Sequence, residues 1–272
     1  MEKITYTEFI RALEQYGTAV HCELYANNYT RYYSDENPGD AAYYSDRGCV
    51  IRADDYEYDG KRRIWRNVHQ VQPDAELDAV AAEQMADAKE RAKSFENVSL
   101  NVIAFTVSNG DLPPEKDKLG GWRNYARMGA PVEKDARVRI LTADDAALIR
   151  AACAPSLAED GDTRAGWQLA QNFSEYDFEH ADGTLYGIFV GGKLAGMASS
   201  SCEKGINLAW LRDIYVAPQY RQQGLGKALV LTALADYPAL KWHYQVAKWN
   251  APSIALAKSL GFTLEGAGLY PE

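Results

Sequence analysis

The sequence contains no uninterrupted apolar run of the roughly 20 residues that a membrane-spanning helix needs. Its opening stretch, MEKITYTEFIRALEQYG, alternates charged and apolar side chains and lacks the apolar core of a secretory signal. We therefore expect a soluble protein with no signal peptide and no membrane partner.

Basic residues are in deficit. Lys and Arg number 29 against 38 Asp and Glu, which gives a net charge of −9 and a sequence pI near 5.1. Binding to a phosphate backbone requires clustered positive charge, so we expect no nucleic-acid partner. The acidic balance is compatible with a cationic amine as ligand.

Cysteine is scarce and scattered. The four residues Cys22, Cys49, Cys153 and Cys202 form no CxxC pair, and only His21 lies beside one of them. This spacing gives no metal-binding pattern and favours structural thiols. A reducing cytoplasm is then the expected compartment.

The most informative stretch runs from Leu211 to Leu229, LRDIYVAPQYRQQGLGKAL. Its β-branched and aromatic residues before Pro218 predict a strand, and Gly224 and Gly226 open an Ala- and Leu-rich segment that predicts a helix. Glycines let the backbone approach a ligand closely, and the first N–H groups of a helix attract phosphate. The turn is therefore predicted to hold a pyrophosphate.

Two better-known glycine loops do not fit this stretch. A Walker A loop requires Ser or Thr after its Lys, and here Ala228 follows Lys227. A dinucleotide fingerprint requires a third glycine where this sequence has Leu229.

The pattern that does fit is Arg221-x-x-Gly224-x-Gly226, which resembles the acetyl-CoA signature of the GNAT superfamily of N-acetyltransferases. The following residues resemble the same family in the same order, with a strand, a helix starting near Asn250 and a Gly-Phe pair at 261–262. Within the family, VAKWNAPSI at residues 246–254 is most similar to the polyamine (diamine) acetyltransferase branch.

The resemblance implies an α/β (α+β) protein in two domains. Residues 135–272 are expected to form a GNAT acyl-CoA N-acyltransferase fold with a mixed, mostly antiparallel central sheet. An α+β domain of unknown role is expected at residues 1–134, with a linker between Gly129 and Ala136. A degenerate GNAT-like repeat is one possibility for this domain, although it contains no RxxGxG.

Local patterns predict several elements of the first domain. They indicate a helix that ends at Gly17, a hairpin turn at Asp59-Gly60, a helix over 74–95 capped by Asp74 and a strand over 98–107. A cluster of tyrosines could line a binding surface or pack at the rim of a core. These tyrosines are Tyr25, Tyr29, Tyr32, Tyr33, Tyr43 and Tyr44.

The resemblance implies acetyl-CoA as cosubstrate and no metal. The pyrophosphate would lie on the backbone of the glycine turn, the pantetheine arm would pair with the strand before it, and Asn250 and Ser253 would contact the CoA arm. The predicted cofactor-binding residues are Ile214, Tyr215, Val216, Arg221, Gln222, Gln223, Gly224, Leu225, Gly226, Lys227, Asn250 and Ser253.

The catalytic positions depart from the polyamine branch. Its base is a Glu immediately before the Asp of the strand, where this sequence has Arg212 before Asp213, and its acid is a Tyr where this sequence has Ala257. Asp213 is the candidate base or amine ligand, unless it serves only as an ion-pair partner of a nearby arginine. The predicted catalytic residues are Asp213, Tyr215 and Tyr244, with His243 and Tyr270 as further candidate proton donors.

We therefore expect an N-acetyltransferase that moves acetyl from acetyl-CoA to a primary amine, of a small molecule, by direct attack in a ternary complex. The alternatives are a CoA-binding sensor without turnover and an acetyltransferase for peptide or protein amines. A homodimer is compatible with the family. The acidic segment 159–181 either borders the acceptor site or is a solvated face.

Overall fold

The computed structural model describes residues 1–16, 33–179, 183–203 and 208–271, without the side chains of Asn109 and Glu203. These residues divide into two compact units, one of 1–124 with 264–272 and one of 125–263. The division differs from the predicted one at 134/135, because the last strand of the chain pairs within the first unit.

The first unit begins with a short strand and a helix and continues with three long strands. Its elements are β1 (Glu2–Ile4), α1 (Tyr6–Tyr16), β2 (Ala41–Asp46), β3 (Cys49–Tyr58), β4 (Lys61–Gln70), α2 (Leu77–Ala92), β5 (Val98–Gly110), α3 (Pro114–Lys118), β6 (Gly121–Met128, shared with the second unit) and β12 (Thr263–Leu269). Strands β1 to β4 pair antiparallel in sequence order, β5 pairs parallel with β4, and β12 pairs antiparallel with β5.

The second unit repeats this plan and has two helices before its meander. Its elements are β7 (Val138–Ile140), α4 (Ala146–Leu157), α5 (Arg164–Ser174), β8 (Thr184–Val190), β9 (Lys193–Glu203), β10 (Leu208–Val216), α6 (Leu225–Asp236), β11 (Lys241–Ala247) and α7 (Ala251–Ser259). Strands β7 to β10 pair antiparallel in sequence order, and β11 pairs parallel with β10. The predicted mixed, mostly antiparallel architecture is confirmed.

The two units share one order of elements. In each, an antiparallel meander of three strands is followed by a helix, a strand parallel to the third strand and a second helix. The meanders are β2-β3-β4 and β8-β9-β10, and the helices that return the chain are α2 and α6. A parallel neighbour requires such a crossover, so the common order reflects the same sheet construction.

Local sequence signals account for the elements that hold the second unit together. Thr142 and Asp145 form the predicted capping box before α4, and Gly191 and Gly192 turn the β8–β9 hairpin with φ of 56° and 76°. Helices α4 and α5 pack on the sheet through a core that includes Phe173. This face of the sheet carries the candidate site.

One expectation for the first unit needs correction. The N-cap of α2 is Glu76 rather than Asp74, no side chain caps this helix, and it ends at Ala92. Of the two interpretations of the tyrosines, packing at a core holds for Tyr43, which lies against Phe9 beneath α1.

The helix ending at residue 16, the Asp59-Gly60 turn and the strand from Val98 are confirmed. Tyr33 stacks over Arg52, with 4.4 Å between guanidinium carbon and ring centre. Three of the predicted tyrosines, at positions 25, 29 and 32, lie outside the described residues.

Cys49 and Cys153 are buried and form no disulfide, and burial raises the pKa of each thiol to about 12. None of the helices in the described ranges combines the length and apolarity that crossing a membrane demands. Within those ranges no group of three His, Cys, Asp or Glu side chains could hold a metal ion.

Candidate active site

Strands β10 and β11 pair at their beginnings and then diverge. Their parallel register runs from Leu208 opposite Lys241 to Leu211 opposite Tyr244. Beyond this point β10 continues to Val216 and β11 to Ala247 without pairing to each other. The divergence opens a gap in the sheet.

The backbone of β10 turns polar groups into this gap. Ala217 N donates to Ala195 O on β9 at 3.0 Å, and in an antiparallel ladder only alternate residues bond to the same neighbour. The backbone N–H of Tyr215 therefore points to β9. The N–H groups of Ile214 and Val216 point to the other side of β10, where β11 is no longer paired. These groups are placed to bind an extended chain lying in the gap.

A tight turn at the end of β10 leads into α6. Gly224 is the N-cap of this helix with φ 75° and ψ 5°, and Gln222 also has a positive φ of 62°. A non-glycine residue in this region costs about 1–3 kcal/mol, and such strain is commonly found at ligand sites. No atom lies within 4 Å of a Cβ built on Gly224, so the turn is open on the side of this glycine.

Asp213 lies on β10 where the two strands part. Burial raises the pKa of its carboxyl, against a hydrogen bond from Asn172 and the positive charge of Arg212. The side chain remains partly accessible. It is therefore a half-buried acid that favours its neutral form more than an ordinary aspartate does.

Tyr244 lies on β11, at the last position where this strand pairs with β10. Its hydroxyl hydrogen-bonds the hydroxyl of Ser253 on α7, and burial, together with the nearby Asp213 carboxylate, raises its pKa to about 12. Asn250 caps α7 by accepting a hydrogen bond from Ser253 N at 3.3 Å. Asp213, Tyr244, Asn250 and Ser253 are thus brought to one region, as the sequence predicts.

Tyr215 is placed differently. It is 1 % exposed, its hydroxyl donates to Ala152 O at 3.0 Å, and it lies 2.9 Å from Ser156 Oγ. A phenol enclosed between α4 and the sheet has no route to a substrate. The position of Tyr215 therefore does not support the predicted proton-transfer role, and its side chain packs between α4 and the sheet.

Arg221, one of the predicted cofactor-binding residues, bonds groups of the protein itself. Its Nε donates to Val216 O at 2.9 Å, and both terminal nitrogens bond the carboxylate of Asp162. Two elements are joined in this way, the turn before α6 and the loop between α4 and α5. The pattern that marks the turn in the sequence therefore includes a residue that braces it.

The remaining candidates lie outside the gap. His243 is fully buried beside Trp210, and Tyr270 belongs to the first unit. Arg212 is exposed, donates to Ser201 Oγ and lies over the Trp210 ring, and Ala257 is buried in α7. Arg212 and Ala257 therefore supply neither the base nor the acid that the polyamine branch has at these two positions.

Sequence reasoning missed two contributors from α5 and its C-terminal end. Asn172 lies close enough to Asp213 to lower the pKa of its carboxyl. Burial raises the pKa of Tyr176, and the nearby Asp213 charge raises it further. The segment contains no motif. These side chains reach the site because α5, which Thr163 caps, packs on β10.

Comparison with known proteins identifies the second unit. Residues 149–262 match the family model described as Acetyltransferase (GNAT) family. This part of the chain is a GNAT acetyltransferase domain. Acetyl-CoA-dependent N-acetyl transfer is the chemistry of the family.

Solved structures of GNAT proteins resemble the chain in fold. A tandem GNAT protein from the clavulanic acid biosynthesis pathway, without acetyl-CoA, is 16% identical, with coverage of 100% of this chain and 98% of that chain and a TM-score of 0.50. An acetyltransferase of the GNAT family from Novosphingobium aromaticivorans is 19% identical, with coverage of 78% and 88% and a TM-score of 0.41.

The PaiA N-acetyltransferase of Thermoplasma acidophilum, in complex with coenzyme A, is 16% identical, with coverage of 49% and 97% and a TM-score of 0.35. No curated protein sequence matches the chain.

A substitution in the turn of the GNAT domain tests the predicted cofactor site. Gly224→Glu places bulk and negative charge where the pyrophosphate is expected, so we predict at least about a tenfold loss of CoA affinity by isothermal titration calorimetry. Gly192→Glu is the matched control, since Gly192 has φ 76° and equally open surroundings in the β8–β9 hairpin. Equal CoA affinity in the two variants contradicts the placement.

Proposed function

We propose that the chain acetylates a primary amine of a small molecule, by direct attack of the amine on acetyl-CoA in a ternary complex. The observation that carries the proposal is the half-buried Asp213 carboxyl at the point where β10 and β11 diverge. An acid in this position can bind an ammonium group and receive its proton within reach of a thioester held in the gap.

Acetyl-CoA would lie along β10. Its pyrophosphate would accept hydrogen bonds from the backbone of residues 222–227, and its pantetheine arm would pair with Ile214 and Val216. A backbone N–H of β10 at the end of this arm would then point at the thioester carbonyl, where it can stabilise the oxyanion that develops during attack. One such preorganised donor is commonly worth about 3–4 kcal/mol.

The acceptor would approach from the side of α5. Asn172 and Tyr176 lie beside Asp213 there, and the rings of Tyr176 and Phe178 pack edge to face at 4.9 Å. Aromatic walls beside a carboxyl favour a compact cationic amine, which can lie against the rings and ion-pair with Asp213.

The base must be ionised to take the proton. Burial shifts the Asp213 pKa upward, towards the operating pH, which strengthens it as a base relative to an ordinary aspartate. Tyr244 keeps its proton at neutral pH, because its pKa is raised to about 12. It is our candidate to protonate the departing thiolate, and Asn250 and Ser253 hold the adjoining end of α7.

A CoA-binding sensor without turnover is the second candidate. It is favoured by Arg212 and Ala257, which stand at the positions of the usual base and acid of the polyamine branch. The intact glycine turn supports both candidates equally. Turnover separates them.

For the first unit we propose a degenerate GNAT-like copy that does not bind CoA. The shared order of elements supports common construction. At the start of α2, where α6 has its glycine N-cap, the chain has Glu76 flanked by Asp74 and Asp78. Negative charge at this end of a helix repels a pyrophosphate.

An acceptor panel tests the proposed reaction. We expect acetyl-CoA-dependent thiol release with one class among polyamines, aminoglycosides and amino acids, and none with N-terminal peptides. Turnover with peptides alone assigns the peptide acceptor instead. CoA binding without turnover on the whole panel favours the sensor.

Asp213→Asn tests the base. With an acceptor found in the panel, we predict a fall in kcat/KM of roughly 100-fold or more. A carboxyl base is active only above its pKa, so the acid limb of the wild-type pH profile should lie above the ordinary Asp value and should vanish in the variant. Asp144→Asn, an exposed acid before α4, is the control and should keep both rate and limb. An intact rate in Asp213→Asn removes Asp213 from the mechanism.

Binding stoichiometry tests the assignment of the first unit. We predict one CoA per chain by calorimetry, and none in Gly224→Glu at the same concentrations. A second site that persists in Gly224→Glu contradicts the proposed loss of CoA binding in the first unit.

A further inference from the structure

We infer that Asp162 is a positioning residue that couples the acceptor side of the site to the acetyl-CoA turn, with Arg221 as its partner. The inference rests on the proposed function, in which the turn before α6 binds CoA and α5 borders the acceptor. It assigns the signature arginine to this coupling and not to contact with phosphate.

The Asp162 carboxylate is a buried junction. Its side chain is 2 % exposed and accepts hydrogen bonds from Arg221 Nη1 at 2.6 Å, Ser156 Oγ at 2.7 Å and Thr163 N at 2.7 Å, besides Arg221 Nη2. Burial raises its pKa, but these donors outweigh burial and hold the pKa at about 2. The acid is therefore ionised at every pH at which the enzyme would be assayed.

Arg221 carries the junction to the cofactor side. Its Nε holds the carbonyl of Val216 at 2.9 Å, and Val216 is the last residue of β10, whose N–H faces the gap. A guanidinium that bonds a carboxylate in this bidentate way is fixed in orientation. The end of β10 and the glycine turn are thus tied to Asp162.

The acceptor side is tied to the same carboxylate through α5. Thr163 is the N-cap of this helix, and a Cβ at Gly166 in its first turn would overlap the Asp162 carboxylate. The same helix packs on β10 and carries Asn172, whose side chain lies close enough to Asp213 to lower the pKa of that carboxyl. Movement of the Asp162 junction therefore moves the groups beside the proposed base.

A second branch reaches the core. Ser156, at the end of α4, lies between Asp162 and the Tyr215 hydroxyl. The buried phenol of Tyr215, which the reaction does not use, is thus part of the same network. This accounts for a polar group placed between a helix and a sheet.

Asp162→Asn should separate acceptor binding from cofactor binding. The amide cannot pair with both guanidinium nitrogens, so the start of α5 loses its tether while the backbone of the turn remains. We predict that acceptor KM rises about tenfold and that CoA affinity changes by less than about threefold. Asp160→Asn is the matched control, because Asp160 lies exposed in the same loop with φ 58°, which Asn tolerates.

Arg221→Gln is the second variant and decides the matter if Asp162→Asn does not fold. It should reproduce the rise in acceptor KM. The acceptor KM of the double variant should be no higher than that of the more impaired single variant, because both substitutions remove the same interaction. A loss of CoA affinity beyond about tenfold with an unchanged acceptor KM makes Arg221 a phosphate ligand and overturns the inference.

Hydrogen exchange separates failure of this inference from failure of the proposed function, because it needs no acceptor. CoA should slow amide exchange in residues 164–174 of the wild-type chain and of Asp160→Asn, and should not do so in Asp162→Asn. Equal protection of α5 in all three proteins overturns the coupling, whether or not any amine is acetylated.

Discussion

The divergence of β10 from β11 is the constraint on which the site depends. Two parallel strands that remained paired would satisfy each other's backbone groups, and nothing could lie between them. Because pairing stops after Leu211 and Tyr244, the outer edge of β10 needs another partner. An extended, amide-containing chain such as pantetheine would supply the matching donors and acceptors, and in the proposed reaction the thioester at its end would lie between Asp213 and Tyr244.

A register irregularity of β10 explains how Asp213 can face the site although Arg212 stands at the position of the usual Glu. Pairing with β9 shifts between Leu211 and Ile214, and a bulge re-aims the side chains within it. Arg212 is thereby directed to Ser201, while Asp213 turns to α5. Proton transfer in this chain can therefore depend on a position one residue later than in the polyamine branch.

Much of the second unit could be predicted from sequence, because its signals are local. The glycine turn, the Asn250 cap and the Thr142 capping box each act through residues within one helical turn. Asn172 and Asp162 could not be predicted, because their roles arise from contacts with residues about 40 and 60 positions away. Arg221 shows the same limit, since its motif marks the turn correctly but does not say which way the side chain points.

The two units share one construction, and we propose that it carries opposite chemistry in each. Helices α2 and α6 each return the chain to a parallel strand, so their N-termini occupy equivalent places in their own sheets. At α6 a glycine with positive φ exposes the first N–H groups. At α2 three acidic residues, Asp74, Glu76 and Asp78, lie within two positions of the N-cap in sequence, and Glu76 forms an ion pair with Arg47 at 3.5 Å. The helix dipole is the same in both, so the few residues before each helix decide whether it attracts or repels a pyrophosphate.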